Sequence, residues 1–428
     1  MIGKKIHNLA SLLWPITRSI AGPGNLKTLK ILKKINPSLK IKGFPCGKKV
    51  FDWKIPYEWI IKDAYIKNKE NKKILDFKNN NLHVVNFSKS IHQNISLNKL
   101  KKKIFTIKHN RSAIPYVTSY YHKTWGFCMS YNQYKSLKDK TYFVKIDSKF
   151  KKGILNYGEI FVKGKSKKEI LISTYICHPS MANNELSGPC LSIFLSNWIK
   201  SKKRRYSYRF LFLPETIGAI SYIFHNLNKL KKNVIAGMIV TCVGDEKNYS
   251  FLPSKSQNSI LDKIIKEELI RNKISYKYYS WLKRGSDERQ FNWPNIGLEM
   301  SSLMRSKYHE YKEYHTSHDD LKKIVTPKGL NETYNIYQKI FLNLEKKYFP
   351  ISTSYCEPML SKKNLYPKIG YFNNANKKKI LSKLILNILS YSDGKNSIED
   401  IADKCQINKN YCLSLVYYLN KKKLISLF

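Results

Sequence analysis

The stretch Cys177-His178-Pro179-Ser180-Met181-Ala182-Asn183-Asn184-Glu185-Leu186-Ser187-Gly188 lies where an apolar run ends and an amphipathic run begins. Upstream, residues 169–176 are almost continuously apolar, the pattern of a strand buried on both faces. Downstream, Leu191, Ile193, Phe194 and Trp198 form the inward side of a helix over 187–200. A histidine just past a buried strand faces a crevice, and the small pair Ser187-Gly188 lets the helix start pack closely. Asn184 or Ser187 is expected to cap that helix, which leaves His178 and Glu185 without a structural duty.

The same strand–loop–helix grammar repeats outward from this block. Strands are expected over 208–213, 234–243, 275–281 and 295–301, with helices over 217–226, 259–271 and 330–346. Apolar strands alternating with amphipathic helices predict a largely parallel sheet covered on both faces, with ligands beyond the carboxyl ends of its strands. Short apolar segments between turn residues predict a β-rich insert over 47–148. Residues 1–46 read as helices belonging to the α/β core of 149–347. In 348–428 a polar connection over 348–378 precedes three short helices (380–390, 398–405 and 410–421) that suit a winged-helix unit.

Two more strand ends carry chemistry-bearing residues. In Leu213-Pro214-Glu215-Thr216-Ile217-Gly218, a carboxylate closes an apolar strand, a costly place unless it acts on something; the alternative is a first-turn acid favoured by the helix dipole. In Tyr314-His315-Thr316-Ser317-His318-Asp319-Asp320, Asp319 or Asp320 is expected to accept the second ring proton of His315, as metal-bound imidazoles require. A lone histidine is more often structural than a ligand; three such features at the ends of one sheet point instead to a shared site.

With these blocks in view, the chain resembles aminopeptidase-like proteins found with surface-polysaccharide biosynthesis enzymes, a group of unassigned activity related to the co-catalytic zinc aminopeptidases. The likeness runs through Arg18-Ser19 with Gly22-Pro23-Gly24, Asp52-Trp53, Ile114-Pro115-Tyr116-Val117-Thr118-Ser119-Tyr120-Tyr121, Trp125-Gly126-Phe127-Cys128, the 178–188 block, Pro214-Glu215-Thr216, Thr241-Cys242-Val243-Gly244-Asp245, Gly285-Ser286-Asp287-Glu288-Arg289-Gln290 and Tyr314-His315-Thr316-Ser317. It implies a zinc-aminopeptidase-like α/β core, a β-rich insert and a terminal winged helix. Of the two-metal ligand set, His178 and His315 match the two histidines and Glu215 the base. The bridging carboxylate position falls on Asn184, beside Glu185, and the last two ligand positions fall on Thr216 and Thr241, whose neutral hydroxyls are poor zinc ligands. One zinc ion is therefore expected rather than two, held by His178, His315 and Glu185 or Asn184, with a position left for water and Glu215 as general base. Asp287, Glu288 and Arg289 are candidates for holding a charged end of a small-molecule, amino-sugar or peptide substrate; the competing reading is a surface ion-pair cluster. The aromatic residues of 116–121, with Trp125 and Phe127, read either as a carbohydrate-stacking face or, more often at strand spacing, as core and cross-strand pairs.

Bulk properties frame these expectations. The 428 residues carry 78 basic against 30 acidic side chains, a formal charge of +48, which attracts polyanions. The lysines are spread along the chain, however, and Lys, Ile, Asn, Tyr and Phe are all frequent, as an A/T-rich genome would dictate; a solvated surface is the simpler reading. Lys404, Lys409, Lys421, Lys422 and Lys423 would meet phosphates if the winged helix bound DNA; docking or dimerisation, giving a homo-oligomer, is the preferred role. The eight cysteines include no CxxC pair, as expected of free thiols in a reducing compartment. The apolar run 9–16 is too short to span a membrane. A cytoplasmic hydrolase is the resulting expectation, with a silent ligand-binding scaffold and a DNA-binding regulator as rivals.

Overall fold

A computed structural model of the protein describes residues 1–366 and 377–427; the polar connection expected over 348–378 thus falls partly outside the described residues. The centre is an eight-stranded sheet of β1 (Lys40–Pro45), β2 (Ile154–Val162), β3 (Glu169–Tyr175), β4 (Ser207–Leu213), β5 (Val234–Ile239), β6 (Tyr249–Leu252), β7 (Tyr276–Tyr278) and β8 (Met300–Met304), ordered β1-β2-β4-β3-β5-β8-β6-β7. The central pairs β4–β3, β3–β5 and β5–β8 are parallel, as is β6–β7. The pairs β1–β2, β2–β4 and β6–β8 are antiparallel. Every residue of β3 and β4 is buried, which is why both read as unbroken apolar runs. The two charged residues in these strands, Arg209 in β4 and Glu169 in β3, pair with each other, and Arg209 also pairs with Glu159.

One face of the sheet is covered by α1 (Ile2–Leu13), α2 (Pro23–Ile35), α3 (Ser187–Lys200), α5 (Ile260–Arg271) and α6 (Pro327–Lys346), whose apolar stripes meet in one core. The other face is covered by α4 (Ile217–Asn233) and by the β-rich segment, through Trp59, Ala64, Val144 and Ile146. That segment contains an antiparallel sheet of Lys73–Asp76, Glu58–Lys67, Thr141–Lys151 and Ile91–Ser96. At the end of the chain, α7 (Lys377–Tyr391), α8 (Ile398–Lys404) and α9 (Lys409–Lys421) enclose a separate core of Ile385, Ile388, Ile401, Val416 and Leu419. A short strand pair of Ile351–Ser352 and Ile425–Ser426 completes this winged-helix arrangement. Lys263 on α5 pairs with Asp400 at 3.1 Å, fixing α8 to the core.

Several elements differ from expectation: residues 40–45, read with the N-terminal helices, form β1; the helix foreseen over 217–226 runs to Asn233; the strand foreseen over 275–281 is only Tyr276–Tyr278; and β2 was not foreseen. The strand foreseen over 234–243 stops at Ile239; beyond it Cys242 takes a positive φ of 53° and the Thr241 hydroxyl bonds Tyr175. The strand foreseen over 295–301 is Met300–Met304 instead; Asn292 bonds both the N–H and the C=O of Met300, folding 292–299 into a turn. The short β6 was not foreseen. Among the described residues no helix is long and apolar enough to cross a membrane, and all eight cysteines are free.

Candidate active site

The loops that follow β3, β4 and β5, joined by 314–319, converge at the carboxyl ends of the strands, where a doubly covered sheet places its ligands. His178 enters from β3 and is 3% exposed. Its Nδ1 lies 3.1 Å from Glu185 Oε2, and its Nε2 lies 3.7 Å from Glu215 Oε2 on the opposite edge of the ring. The His315 ring stands 5.3 Å away, centroid to centroid, with its Nε2 3.2 Å from Asn184 Oδ1. Glu215 thus stands beside Nε2 of His178, and Asn184 Oδ1 beside Nε2 of His315, at one end of the sheet.

Aromatic rings fix both imidazoles. Tyr116 packs on His178 and His315 at 5.1 Å each, and Tyr314 stacks on His315 at 3.9 Å. Tyr116 comes from the β-rich segment, whose residues 114–116 run alongside 315–317: Tyr116 N–H donates to His315 O, and Ser317 N–H to Ile114 O, each at 2.8 Å. The aromatic stretch therefore divides. Phe127 is core and Trp125 packs edge-on against it, while Tyr116 is a wall of the site and Tyr120 and Tyr121 are about half exposed.

Glu185 is buried beneath His178. Oε1 accepts from Arg18 Nε at 3.0 Å, and Oε2 accepts from the His178 N–H at 2.6 Å and from the Cys177 N–H. Arg18, fully buried, also donates to the carbonyls of His178 and Leu13. Burial opposes charging of His178, but the Glu185 carboxylate outweighs it and leaves the imidazole above its ordinary pKa. His315 lies well below, through burial and then the neighbouring His178 charge. Glu215 is raised above the usual carboxylate range, chiefly by burial; His178 and the Ser286 hydroxyl, which donates to Oε1 at 2.9 Å, pull the other way.

The remaining candidates occupy a layer behind these side chains. Asp319 accepts from the backbone N–H groups of Asn183 and Asn184 and from Tyr311, and Asp320 caps Lys322 and Lys323; neither meets His315, contrary to expectation. The order is inverted because the loop needs an acceptor for the two N–H groups that Asn184 frees on leaving helical geometry (φ −106, ψ 70). Asp287 and Glu288 are wholly buried, so they are not a surface ion-pair cluster. Asp287 accepts from Thr216 N–H, and Glu288 from Gly285, Ser286 and Tyr308. Arg289 is partly exposed and donates to Thr216 Oγ1 at 2.8 Å. Thr241 Oγ1 meets Tyr175 OH at 2.6 Å. Thr216, Cys242 and His315 all have positive φ (63°, 53° and 53°), strain of about 1–3 kcal/mol each that clusters at functional sites.

Two groups offer themselves to a metal. Cys177, His178 and Glu185 present donor atoms within 4.8 Å of one another, but both oxygens of Glu185 are already engaged and burial pushes the Cys177 thiol well up. The open face has two imidazoles, the Asn184 carbonyl oxygen and a carboxylate. His315 favours the neutral form that a ligand requires, and Nδ1 of His178 is already backed by a carboxylate, as bound histidines usually are. By donor type this second set suits a zinc ion, although among the described residues the only three His, Cys, Asp or Glu side chains with donor atoms within 4.8 Å of one another are Cys177, His178 and Glu185.

Sequence reasoning quoted Arg18 and Ser286 without giving either a role. Arg18 had a readable signal: it is the only charged residue between Lys5 and Lys27 in a chain where a quarter of residues are charged, which marks a buried cation.

Fold and site together define an aminopeptidase-like chain. BSAP, a zinc aminopeptidase from Bacillus subtilis, superposes with a TM-score of 0.58 over 80% of this chain and 95% of that one, at 13% identity. Residues 7–347 match the family described as a domain of unknown function, DUF4910, and 349–427 match a winged helix-turn-helix family. The chain belongs to the DUF4910 family. A Clostridium acetobutylicum protein, provisionally named a polysaccharide biosynthesis protein with aminopeptidase-like domain, is 42% identical over 94% of this chain and 91% of its own length. A crystal structure of a provisionally named peptidase from the same organism is 39% identical, with a TM-score of 0.81, covering 100% of this chain and 97% of that one.

Proposed function

We propose that the protein is a zinc-dependent amide hydrolase acting in surface-polysaccharide biosynthesis, with one ion held by His178, His315 and Asn184. The observation that carries this reading is the pair of imidazoles, ring centroids 5.3 Å apart, with Glu215 Oε2 3.7 Å from Nε2 of His178. Glu185, foreseen as a ligand, serves instead as the carboxylate that orients His178, with Arg18 holding it in place. Thr216 and Thr241 already bond to Arg289 and Tyr175, which argues for one ion rather than two. The biosynthetic setting rests on the name given to the Clostridium acetobutylicum relative.

The chemistry zinc supplies when bound is to acidify water and polarise a carbonyl. Glu215 takes the proton from the attacking water and delivers it to the leaving nitrogen. Burial, by raising its pKa, makes this carboxylate a stronger base than an exposed glutamate, and the Ser286 hydroxyl fixes the rotamer that faces His178. Tyr116 and Tyr314 keep both rings from turning. In purified full-length protein loaded with zinc, Glu215→Gln should lower amide hydrolysis by about 10²–10⁴-fold while zinc content stays unchanged. Undiminished turnover in that variant would exclude Glu215 as the base, and no release from any N-acyl or aminoacyl amide would leave a silent scaffold.

A further inference from the structure

Each carboxylate on the loops around the opening has a partner or is sealed from solvent. Glu185 is paired to Arg18, Asp287 and Glu288 are 0% exposed, and Asp319 is spent on backbone N–H groups. Glu310 and Glu313 pair with Lys277 and Lys247. Glu310 and Glu313 are the more open of these (34% and 25% of the side chain) but stand at their lysines; Glu215 keeps 16% of its side chain exposed, and it is the base. A substrate bearing a free ammonium beside its scissile bond therefore meets carboxylates that are buried, such as Asp287 and Glu288, or already held by cations.

A guanidinium stands at the same opening. Arg289 follows the turn that carries Ser286, the hydrogen-bond donor to Glu215, and reaches Thr216, the residue after Glu215 in the chain. Among the described residues it makes no ion pair; its one hydrogen bond is to the neutral Thr216 hydroxyl, and its Nε is buried without a partner. Glu215 and Arg289 act in opposite senses on the phenol of Tyr120, so the three share one patch, and Tyr120 is 47% exposed. This guanidinium feels the Glu215 and Asp287 carboxylates but bonds to neither, so most of its donors stay open to an anion brought from outside. Its planar fork matches a carboxylate.

Resting on the hydrolase reading above, we propose that Arg289 makes the site selective for amides that carry a carboxylate next to the scissile bond, and that a free ammonium there is rejected. Acidic N-acyl compounds are then substrates, whereas the free amino ends that an aminopeptidase trims are not. Thr216 is a positioning residue in this scheme, since its hydroxyl aims the guanidinium.

Three probes of similar size, each with its group on the nitrogen side of the same acetyl amide, separate the charges: N-acetylglycine (carboxylate), N-acetylglycinamide (neutral) and N-acetylethylenediamine (ammonium). Their hydrolysis is measured with the zinc-loaded full-length protein, and their binding by calorimetry with the Glu215→Gln protein. The expected order is carboxylate, neutral, ammonium in both measurements, with about ten- to hundredfold between the first two. Arg289→Gln should erase that gap. An ammonium or neutral probe favoured over the carboxylate would overturn the proposal. So would a carboxylate preference that survives Arg289→Gln, since the anion would then be held elsewhere. If Arg289→Gln fails to fold, the ranking in the parent protein decides. Tight carboxylate binding that depends on Arg289, with no hydrolysis of any probe, would uphold the selectivity and remove the hydrolase reading.

Discussion

At the scale of single residues, the site depends on a buried cation and anion set against each other. Arg18 and Glu185 are both removed from water and bonded to each other, so deleting one strands the other. Arg18→Met should cost about 3–5 kcal/mol of stability, read from denaturant midpoints, and should weaken zinc binding because His178 loses its fixed tautomer. A loss under 1 kcal/mol would mean that Glu185 is not held by this pair. Ser286 offers a test by pH. The active form of Glu215 is the carboxylate, so the rate rises as pH climbs through its pKa. The Ser286 hydrogen bond favours that carboxylate and lowers the pKa; Ser286→Ala therefore moves the acid limb of kcat/KM to higher pH. An acid limb that stays in place, or moves down, would assign it to another group.

At the scale of elements, close approach positions the catalytic loops. The start of α3 lies so near the end of β5 that a Cβ on Gly188 would sit 2.4 Å from Val240 O and 2.6 Å from Thr174 Oγ1. Gly188→Ala should then destabilise the protein by about 1–3 kcal/mol and disturb Asn184 at the other end of the same turn; an alanine variant with an unchanged melting curve would show that the turn has slack. The strands and helices that frame the site were readable because each had one environment along its whole length: β3 and β4 are buried throughout, and α3 carries a continuous inward stripe. What was not readable lies where the chain departs from periodicity. Thr216, Cys242 and His315 take positive φ without being glycine, and Asn184 breaks a helical turn, so nothing local announces them. Aspartates near His315 looked like its partners in sequence, but the folded loop spends Asp319 on backbone N–H groups. Long-range pairs such as Arg18–Glu185, 167 residues apart, have no sequence period at all.

At the scale of the whole molecule, two features stand outside the cleft: the excess of basic residues and the winged helix. The basic side chains are spread over all parts of the chain, while on the winged helix Lys409 is already paired to Glu399, and Lys404 and Lys422 lie over Tyr391 and Tyr418. Duplex DNA should accordingly bind only weakly at low salt, lose affinity steeply as salt rises, and show no sequence preference; a sequence-selective complex at physiological salt would make α9 a reading helix. The central claim concerns a single ion held by two distant histidines. Metal analysis of the zinc-saturated, desalted full-length protein, set beside His178→Ala and His315→Ala, tests it most directly. The account predicts one zinc per chain, lost in either variant while the fold persists by circular dichroism. Two ions per chain, none, or zinc retained without either imidazole would contradict it.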